Sequence, residues 1–147
     1  VGKYGFEKDF EVVHLGQLLA ESLPFEKLKL DQKITATYHD PCFLGRHQGV
    51  YDTPREVLSA IEGLELVEMP RNRRNAFCCG SGGGVQEGFR DYSIETAEKR
   101  CEEISHVNAD LVVTACPGCK NNLWGPSRAI GVQTFDLAEI VNKALGE

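Results

Sequence analysis

Two adjacent cysteines followed by a run of glycines, AFCCGSGGGV at residues 76–85, constrain this chain more than any other feature of its sequence. Glycine loses more backbone entropy on folding than any other residue, so a glycine run indicates that the backbone must approach something closely there. Neighbouring cysteine side chains project in different directions from one loop. Both can therefore serve one site only if that site holds several metal atoms or if the loop wraps around it.

Six cysteines in a chain of 147 residues limit the class of protein. Disulfide frameworks are typical of small secreted domains that cannot build a hydrophobic core. This chain is long enough to bury a core, and its first residues show no apolar secretion signal. We therefore expect a cytoplasmic location, where thiols stay reduced and serve as ligands of a metal or cluster, or as redox groups.

Charge and hydropathy exclude two classes of partner. A net charge of −6 argues against nucleic acid. No apolar run approaches the roughly 18 residues needed to span a membrane, so no direct membrane span is expected. The chain begins with Val1 rather than Met, and we expect it to be a piece of a longer protein.

The apolar residues predict an α/β fold, an open and mostly parallel sheet with helices on both faces in Rossmann-like layers. Runs of β-branched and apolar residues predict strands at residues 34–38, 64–69, 76–78, 109–115 and 132–135. The helices predicted between them cover residues 54–62, 86–106, 117–124 and 137–145.

Two of these helices begin with capping signals. Thr53, followed by Pro54 and Glu56, predicts an N-cap with a capping box, and Asp136, followed by Glu139, predicts another. The apolar positions of the long helix recur every three or four residues and predict one buried stripe, formed by Ile94, Ala97, Cys101 and Ile104.

An internal similarity relates the two ends of the chain. VVHLGQLLAESL at residues 12–23 aligns with TFDLAEIVNKAL at residues 134–145, so that His14 corresponds to Asp136. Each segment predicts a short strand, a polar cap and an amphipathic helix. The first segment is interpreted as the end of a preceding, truncated module.

Five cysteines fall just beyond the carboxyl ends of three predicted strands. Cys42 follows the strand at residues 34–38, and the other four follow the strands at residues 76–78 and 109–115, as Cys78, Cys79, Cys116 and Cys119. Ligands bind at this edge of an open parallel sheet, so we expect these thiols to converge. Cys101 lies instead on the apolar stripe and is predicted to be a small core residue.

Three kinds of thiol chemistry remain open. Soft thiolates select zinc, copper(I) or iron–sulfur, and five thiols exceed the four ligands of a closed zinc site, which favours a cluster. The glycines Gly80, Gly82, Gly83 and Gly84 would let backbone N–H groups donate to an anionic cluster. Zinc is the alternative metal, and Cys116-Pro117-Gly118-Cys119 also has the spacing of a thioredoxin-like thiol–disulfide exchanger.

The complete pattern, Cys42-x35-Cys78-Cys79-x36-Cys116-x2-Cys119, resembles the cysteine-rich CCG domain of heterodisulfide reductases and related iron–sulfur oxidoreductases. The motifs HDPCFLGR, CCGSGGG and ACPGCK carry the resemblance, and they look most like those of the D-type catalytic subunit. On this resemblance residues 34–147 form the CCG domain, and residues 1–33 are the end of a preceding module with a connector.

The resemblance implies a noncubane [4Fe-4S] cluster at which a disulfide is reduced. Its ligands would be Cys42, Cys78, Cys79, Cys116 and Cys119. It also implies partner subunits or domains of an electron-transfer complex, of ferredoxin-like, flavin or cytochrome type, with a disulfide or another small molecule as substrate. Such partners are compatible with a chain that associates peripherally with a membrane-bound complex. The chain has no C-x2-C-x2-C-x3-C-P run, so we expect the isolated chain to lack the electron entry of an enzyme.

Charged residues near the cysteines are further candidates. His39 precedes Cys42 and is the candidate general acid that would protonate a departing thiolate, with His47 as the second choice. Arg71, Arg73 and Arg74 precede the double cysteine. They would either stabilise the negative charge of a cluster, or an anionic substrate group, or lie in a solvated loop.

Overall fold

A parallel sheet of four strands organises the part of the chain that this computed structural model describes, residues 10–146. The strands lie in the order β2-β1-β3-β4 and are β1 (Lys29–His39), β2 (Glu62–Val67), β3 (Leu111–Thr114) and β4 (Gln133–Asp136). The helices are α1 (Leu15–Ser22), α2 (Thr53–Ser59), α3 (Val85–Gly88), α4 (Arg90–Ser105), α5 (Pro117–Ala129) and α6 (Leu137–Ala144). Within this range no helix has both the length and the apolar character needed to cross a bilayer.

Side chains alternate across the sheet, so each face packs against its own helices. On one face, Ala36 and Tyr38 of β1 belong to a core that includes apolar residues of α2 and α6, Val57, Leu58, Leu137, Ile140 and Val141. On the other face, Val112 of β3 belongs to a core with residues of α4 and α5, Ala97, Cys101, Ile104, Cys119 and Leu123. The predicted α/β fold, with a parallel sheet covered on both faces, is confirmed.

The strand predicted at residues 76–78 is wrong, because these residues form an irregular loop. The sheet ends at β2 on that side. Side chains, rather than a neighbouring strand, satisfy the backbone of the loop: Arg46 Nη2 donates to the carbonyl oxygen of Ala76 (2.8 Å), and Asn122 Nδ2 donates to that of Cys79 (2.6 Å).

The helix predicted over residues 86–106 is divided into α3 and α4. Phe89, with φ −142° and ψ 60°, interrupts it directly after Gly88, a residue type with low helix propensity. Ile94, predicted on the buried stripe, is 37% exposed, since it lines an open cavity between α4 and α5 together with Trp124. The remaining stripe residues are buried as predicted.

The capping box predicted at Thr53 does not form. The helix α2 already includes Thr53, its N-cap is Asp52, and no side chain of the described residues caps it. The Asp52 carboxylate accepts hydrogen bonds from Arg73 instead, at 3.0 Å from Nη2. A competing tertiary ion pair therefore replaces the local cap.

The two segments predicted to be alike share the same capping device. His14 caps α1 through Nδ1, and the side chain of Gln17 accepts from the His14 backbone N–H at 3.1 Å. Asp136 caps α6 in the same manner, with Glu139 accepting from its N–H at 2.8 Å. The short strand predicted before His14 is not found, so the similarity holds for cap and helix only.

Replacing Asp136 by alanine is expected to lower the free energy of unfolding by about 1 kcal/mol. The backbone N–H of Ala138 then loses its acceptor, whereas Asp136→Asn keeps one and should stay close to the parent. Urea unfolding measures both. Asp31→Ala removes an exposed carboxylate of β1 and is the control, and an equal loss there would contradict the capping role.

Candidate functional site

Five thiols lie at the carboxyl edge of the sheet. Cys42 follows β1 in a tight turn that is closed by backbone hydrogen bonds. Cys78 and Cys79 lie in the loop that precedes α3, and Cys116 and Cys119 occupy the N-cap and the first turn of α5, directly after β3. The edge is the one at which parallel α/β proteins bind ligands.

The thiols at this edge form a continuous series of neighbours. The Sγ atoms of Cys79 and Cys119 are 3.1 Å apart and buried. The Cys79 thiol also acts on the pKa of the neighbouring Cys78 thiol, and the Cys119 thiol on that of Cys116. Cys42 acts electrostatically on Cys78. The structure thus brings Cys78, Cys79, Cys116 and Cys119 together as free thiols, with Cys42 at the same edge of the sheet.

The thiols shift one another's pKa values in opposite directions. The Cys119 and Cys78 thiols hold the pKa of Cys79 well below its usual range. The pKa of Cys78 is raised well above the usual range, first by the Cys79 thiol and then by burial. The pKa of Cys119 is also raised, first by the Cys116 thiol, then by the Cys79 thiol and by burial. The Cys119 thiol and nearby backbone N–H groups lower the pKa of Cys116 to about 6. Thiolate is the form that binds metals, so this arrangement suits a cationic guest.

His39, the last residue of β1, lies next to these thiols and is fully buried. One of its ring nitrogens and the Sγ atoms of Cys79 and Cys119 lie within 4.8 Å of one another. Its Nδ1 accepts a hydrogen bond from Nε of Arg100 at 3.2 Å. Its Nε2 has no hydrogen-bond partner among residues 10–146. The general-acid role of His39 stays a prediction.

A buried polar cluster holds the loop of the double cysteine against α4 and α5. Asn122 of α5 donates to the Cys79 carbonyl oxygen, and its Oδ1 lies 3.1 Å from the Ser93 hydroxyl of α4. The same hydroxyl lies 2.9 Å from the carbonyl oxygen of Gly80. The positions of both helices therefore determine where the Cys79 thiol points.

The glycines after the double cysteine have different surroundings. Gly80 has φ +84°, and a Cβ there would lie 2.5 Å from the Ser93 carbonyl oxygen. Its N–H donates to the Cys78 sulfur at 3.3 Å. A Cβ at Gly82 would lie 4.0 Å from the Phe43 ring, and a Cβ at Gly83, with φ +66°, would have no atom of the described residues within 4 Å. The one-turn helix α3 follows them, in place of the long helix that the sequence predicted.

The variant Gly80→Ala is expected to be far more disruptive than Gly83→Ala. A left-handed backbone conformation alone costs an L-residue about 1–2 kcal/mol, which is the loss expected for Gly83→Ala. Gly80→Ala adds a clash between the new Cβ and the Ser93 carbonyl oxygen. Relieving this clash would require the loop of the double cysteine to move. Urea unfolding of both variants measures the difference, and equal losses would contradict the close approach at Gly80.

The three arginines before the double cysteine lie in different environments. Arg71 and Arg73 form ion pairs with carboxylates of α4 and of the loop before α2. Arg71 and Arg74, together with Arg46, line an open cavity of about 800 Å³. Arg46 connects this cavity to the cysteine loop through its hydrogen bond to Ala76. That Arg71, Arg73 and Arg74 stabilise the negative charge of a cluster or of a substrate group stays a prediction.

Two further candidates lie apart from the thiols. Cys101 is 2% exposed in the core beneath α4, and burial raises its pKa to about 12, so it is the inert core residue that the sequence predicted. His47 is exposed, with its ring centroid 5.2 Å from that of Phe43.

Arg100, Ser93 and Asn122 are site residues that the sequence motifs did not reveal. A usable signal existed for Arg100, because it follows Ala97 by three positions on the buried side of α4 and helical spacing places it in the interior. Asn122 follows Cys119 by three positions and so shares its side of α5.

Comparison with known proteins relates these motifs to a family. A family model described as a CCG cysteine-rich domain matches residues 36–124, more than half of the chain. The D-type subunit of the dihydromethanophenazine:CoB–CoM heterodisulfide reductase of Methanosarcina barkeri is 44% identical over 97% of this chain and 36% of that protein.

Two other relatives widen the comparison. The B-type subunit of the fumarate reductase (CoM/CoB) of Methanothermobacter marburgensis is 35% identical over 99% of this chain and 29% of that protein. A probable iron–sulfur-binding oxidoreductase of Bacillus subtilis is 36% identical over 97% of this chain and 21% of that protein. The chain therefore spans only 21% to 36% of the length of these three relatives.

Proposed function

The chain belongs to the CCG family of cysteine-rich domains, and on that premise we propose that it is an iron–sulfur redox module of a heterodisulfide reductase-like oxidoreductase. The module would reduce a disulfide or relay electrons at the cysteine edge of the sheet. The contact between Cys79 and Cys119 carries this proposal: two buried thiols that are 40 residues apart in the chain lie 3.1 Å from each other, with three more thiols at the same edge of the sheet.

The residues at this edge fit a cluster of iron and inorganic sulfide. Thiolates select iron–sulfur, zinc or copper(I), and five neighbouring thiols exceed the four ligands of a closed zinc site. Buried polar atoms of His39 and Arg100 have no partner within residues 10–146. Hydrogen bonds to cluster sulfur are a known way of adjusting reduction potential, so such donors suit the sulfur atoms of a bound cluster.

The proposed ligands are Cys42, Cys78, Cys79, Cys116 and Cys119, with Gly80, Gly82 and Gly83 as the backbone that approaches the cluster. A bound iron–sulfur cluster supplies one-electron transfer. Reducing a disulfide consumes two electrons and two protons, breaks the S–S bond and yields two thiols. The electrons would come from a ferredoxin-like, flavin or cytochrome partner, and His39 is the candidate source of one proton.

We also propose that residues 34–147 form the CCG domain and that residues 1–33 close a preceding module. The family match begins at residue 36, and α1 repeats the capping device of α6. Two of the relatives are named as subunits of reductases and are longer than this chain. These facts support further domains and subunits as partners. We propose a cytoplasmic or membrane-peripheral location for such a complex.

Iron and sulfide analysis of the anaerobically purified protein, combined with EPR spectroscopy, tests the proposal. We expect iron and acid-labile sulfide in similar amounts and a paramagnetic state after one-electron oxidation or reduction. Oxygen must be excluded because it oxidises thiolate sulfur.

Two other outcomes would contradict the proposal. One zinc per chain, without sulfide or colour, would identify a structural zinc module. Metal-independent disulfide turnover that is lost in Cys116→Ser but retained in Cys42→Ser would identify a thiol–disulfide exchanger.

A further inference from the structure

The hydrogen bond between His39 and Arg100 is a buried contact that the proposed chemistry does not use. Both residues are 0% exposed. Arg100 reaches from α4 to the end of β1, where its Nε donates to His39 Nδ1 at 3.2 Å. Its Nη1 donates to the Arg71 carbonyl oxygen at 2.8 Å and pairs with the Glu103 carboxylate. Arg100 is thus held in place independently of His39.

The direction of the hydrogen bond between Arg100 and His39 determines where the imidazole carries its proton. A guanidinium has N–H donors only and is not deprotonated in proteins. Nδ1 of His39 must therefore accept with its lone pair. The remaining proton of the neutral ring is then on Nε2, which is buried and has no partner within the described chain.

This arrangement is the reverse of the one found around metal-binding histidines. A histidine that ligates a metal normally donates its other N–H to a carboxylate, a carbonyl oxygen or water. Here a cationic donor occupies Nδ1, so Nε2 keeps its hydrogen and has no lone pair to offer. The close group of His39, Cys79 and Cys119 resembles a three-ligand metal site by distance alone.

We propose that Arg100 is a positioning residue that fixes the Nε2–H tautomer of His39, and that His39 donates a hydrogen bond to the sulfur atoms at Cys79 and Cys119 rather than binding metal. The proximity of the ring to both Sγ atoms and the absence of another acceptor for Nε2 within residues 10–146 support this role. His39 would act there as a hydrogen-bond donor. This role excludes the general-acid role, because a ring that accepts at Nδ1 is neutral, whereas an imidazolium acid carries protons on both nitrogens.

The consequence for reduction potential rests on the proposed function, whereas the tautomer does not. A hydrogen bond to cluster or ligand sulfur stabilises the more negative, reduced state and so raises the potential. Removing the His39 donor should therefore lower the midpoint potential of the cluster.

Nitrogen-15 NMR of histidine-labelled protein tests the tautomer in the reduced, metal-free form. We expect His39 to show a protonated Nε2 and an unprotonated Nδ1. The variant Arg100→Met should release this preference and leave a mixture of tautomers. Glu103→Gln removes the carboxylate partner of Arg100 but keeps the Nε hydrogen bond, so it should retain the parent signature.

Two results of the NMR experiment would overturn the inference. A proton on Nδ1 in the parent would show that Arg100 does not donate to it. An unchanged tautomer in Arg100→Met would show that Arg100 does not fix it. The spectrum of the parent alone shows which nitrogen of His39 carries the proton. The inference can therefore be tested even if a variant misfolds.

Potentiometry of the anaerobically purified protein tests the hydrogen bond to sulfur. His39→Leu should lower the midpoint potential, whereas His39→Gln, whose amide N–H replaces the donor, should stay near the parent. A parent-like potential in His39→Leu would overturn the donor role, and equal shifts in both variants would indicate a merely structural residue. If the protein holds no cluster, the proposed function fails while the NMR result still decides the tautomer.

Discussion

Replacing Cys79 by serine is expected to reduce the iron and sulfide bound by the anaerobically purified protein to background. The Cys79 thiol is at the centre of the series, because it contacts both Cys78 and Cys119. Its low pKa makes it the thiol most readily present as thiolate, and a serine hydroxyl does not ionise at neutral pH. Iron and sulfide analysis of matched anaerobic preparations measures the loss.

Cys101→Ser is the matched control, because it makes the same chemical change at another buried cysteine. It should retain iron and sulfide while lowering the free energy of unfolding by about 1–3 kcal/mol, since it buries a hydroxyl in an apolar core. If both variants lost the cluster equally, the assignment of Cys79 as a ligand and of Cys101 as a core residue would both be wrong.

Arg55→Met is expected to lower the free energy of unfolding by about 3–5 kcal/mol. The Asp40 side chain is only 2% exposed, and both its oxygens accept from the Arg55 guanidinium, at 2.7 and 2.9 Å. Removing Arg55 leaves this carboxylate buried without its cation. Asp40 also accepts from the backbone N–H of Arg73 at 2.8 Å, so the pair connects the turn of Cys42 to the loop before the double cysteine.

Urea unfolding provides the measurement, and two comparisons isolate the cause. Lys29→Met removes an exposed ion pair with Glu62 and should leave the free energy of unfolding close to that of the parent, because solvent screens such a pair. Adding Asp40→Asn to Arg55→Met removes the unpaired charge and should recover part of the loss. If Arg55→Met were no worse than Lys29→Met, the buried pair would not stabilise the fold.

The sheet and the shared edge of Cys42, Cys116 and Cys119 were predictable, because these cysteines follow the paired strands β1 and β3. Cys78 and Cys79 follow no strand, so their place at this edge was predicted for a wrong reason. The sequence ADLVVTA predicts the central strand β3 through its buried β-branched residues, and parallel pairing brings the carboxyl ends of β1 and β3 to one edge. The capping box of Asp136 formed because its partner Glu139 is one turn away. Because the two capping residues are so close in the sequence, contacts with distant residues rarely disrupt their hydrogen bonds.

Predictions failed where distant side chains compete with local preference. The loop at residues 76–78 has the composition of a strand, but Arg46 and Asn122 take up the backbone groups of the cysteine loop. Thr53 does not cap α2, because the helix already includes it. Asp52 is the N-cap residue instead, and its carboxylate pairs with Arg73. Arg100 was not predicted because a charged residue on an apolar stripe is normally assumed to point outwards, whereas here it has buried partners on β1 and α4.

The wide spacing of the five thiols along the chain has a consequence for how the protein matures. A nascent polypeptide could assemble no such centre until the β3–α5 junction had left the ribosome, since Cys116 and Cys119 come last. The proposed cluster could therefore be completed only after most of this domain had been synthesised. A bound cluster would cross-link distant segments of the chain. We therefore expect the cluster-bound protein to resist proteolysis better than the metal-free protein.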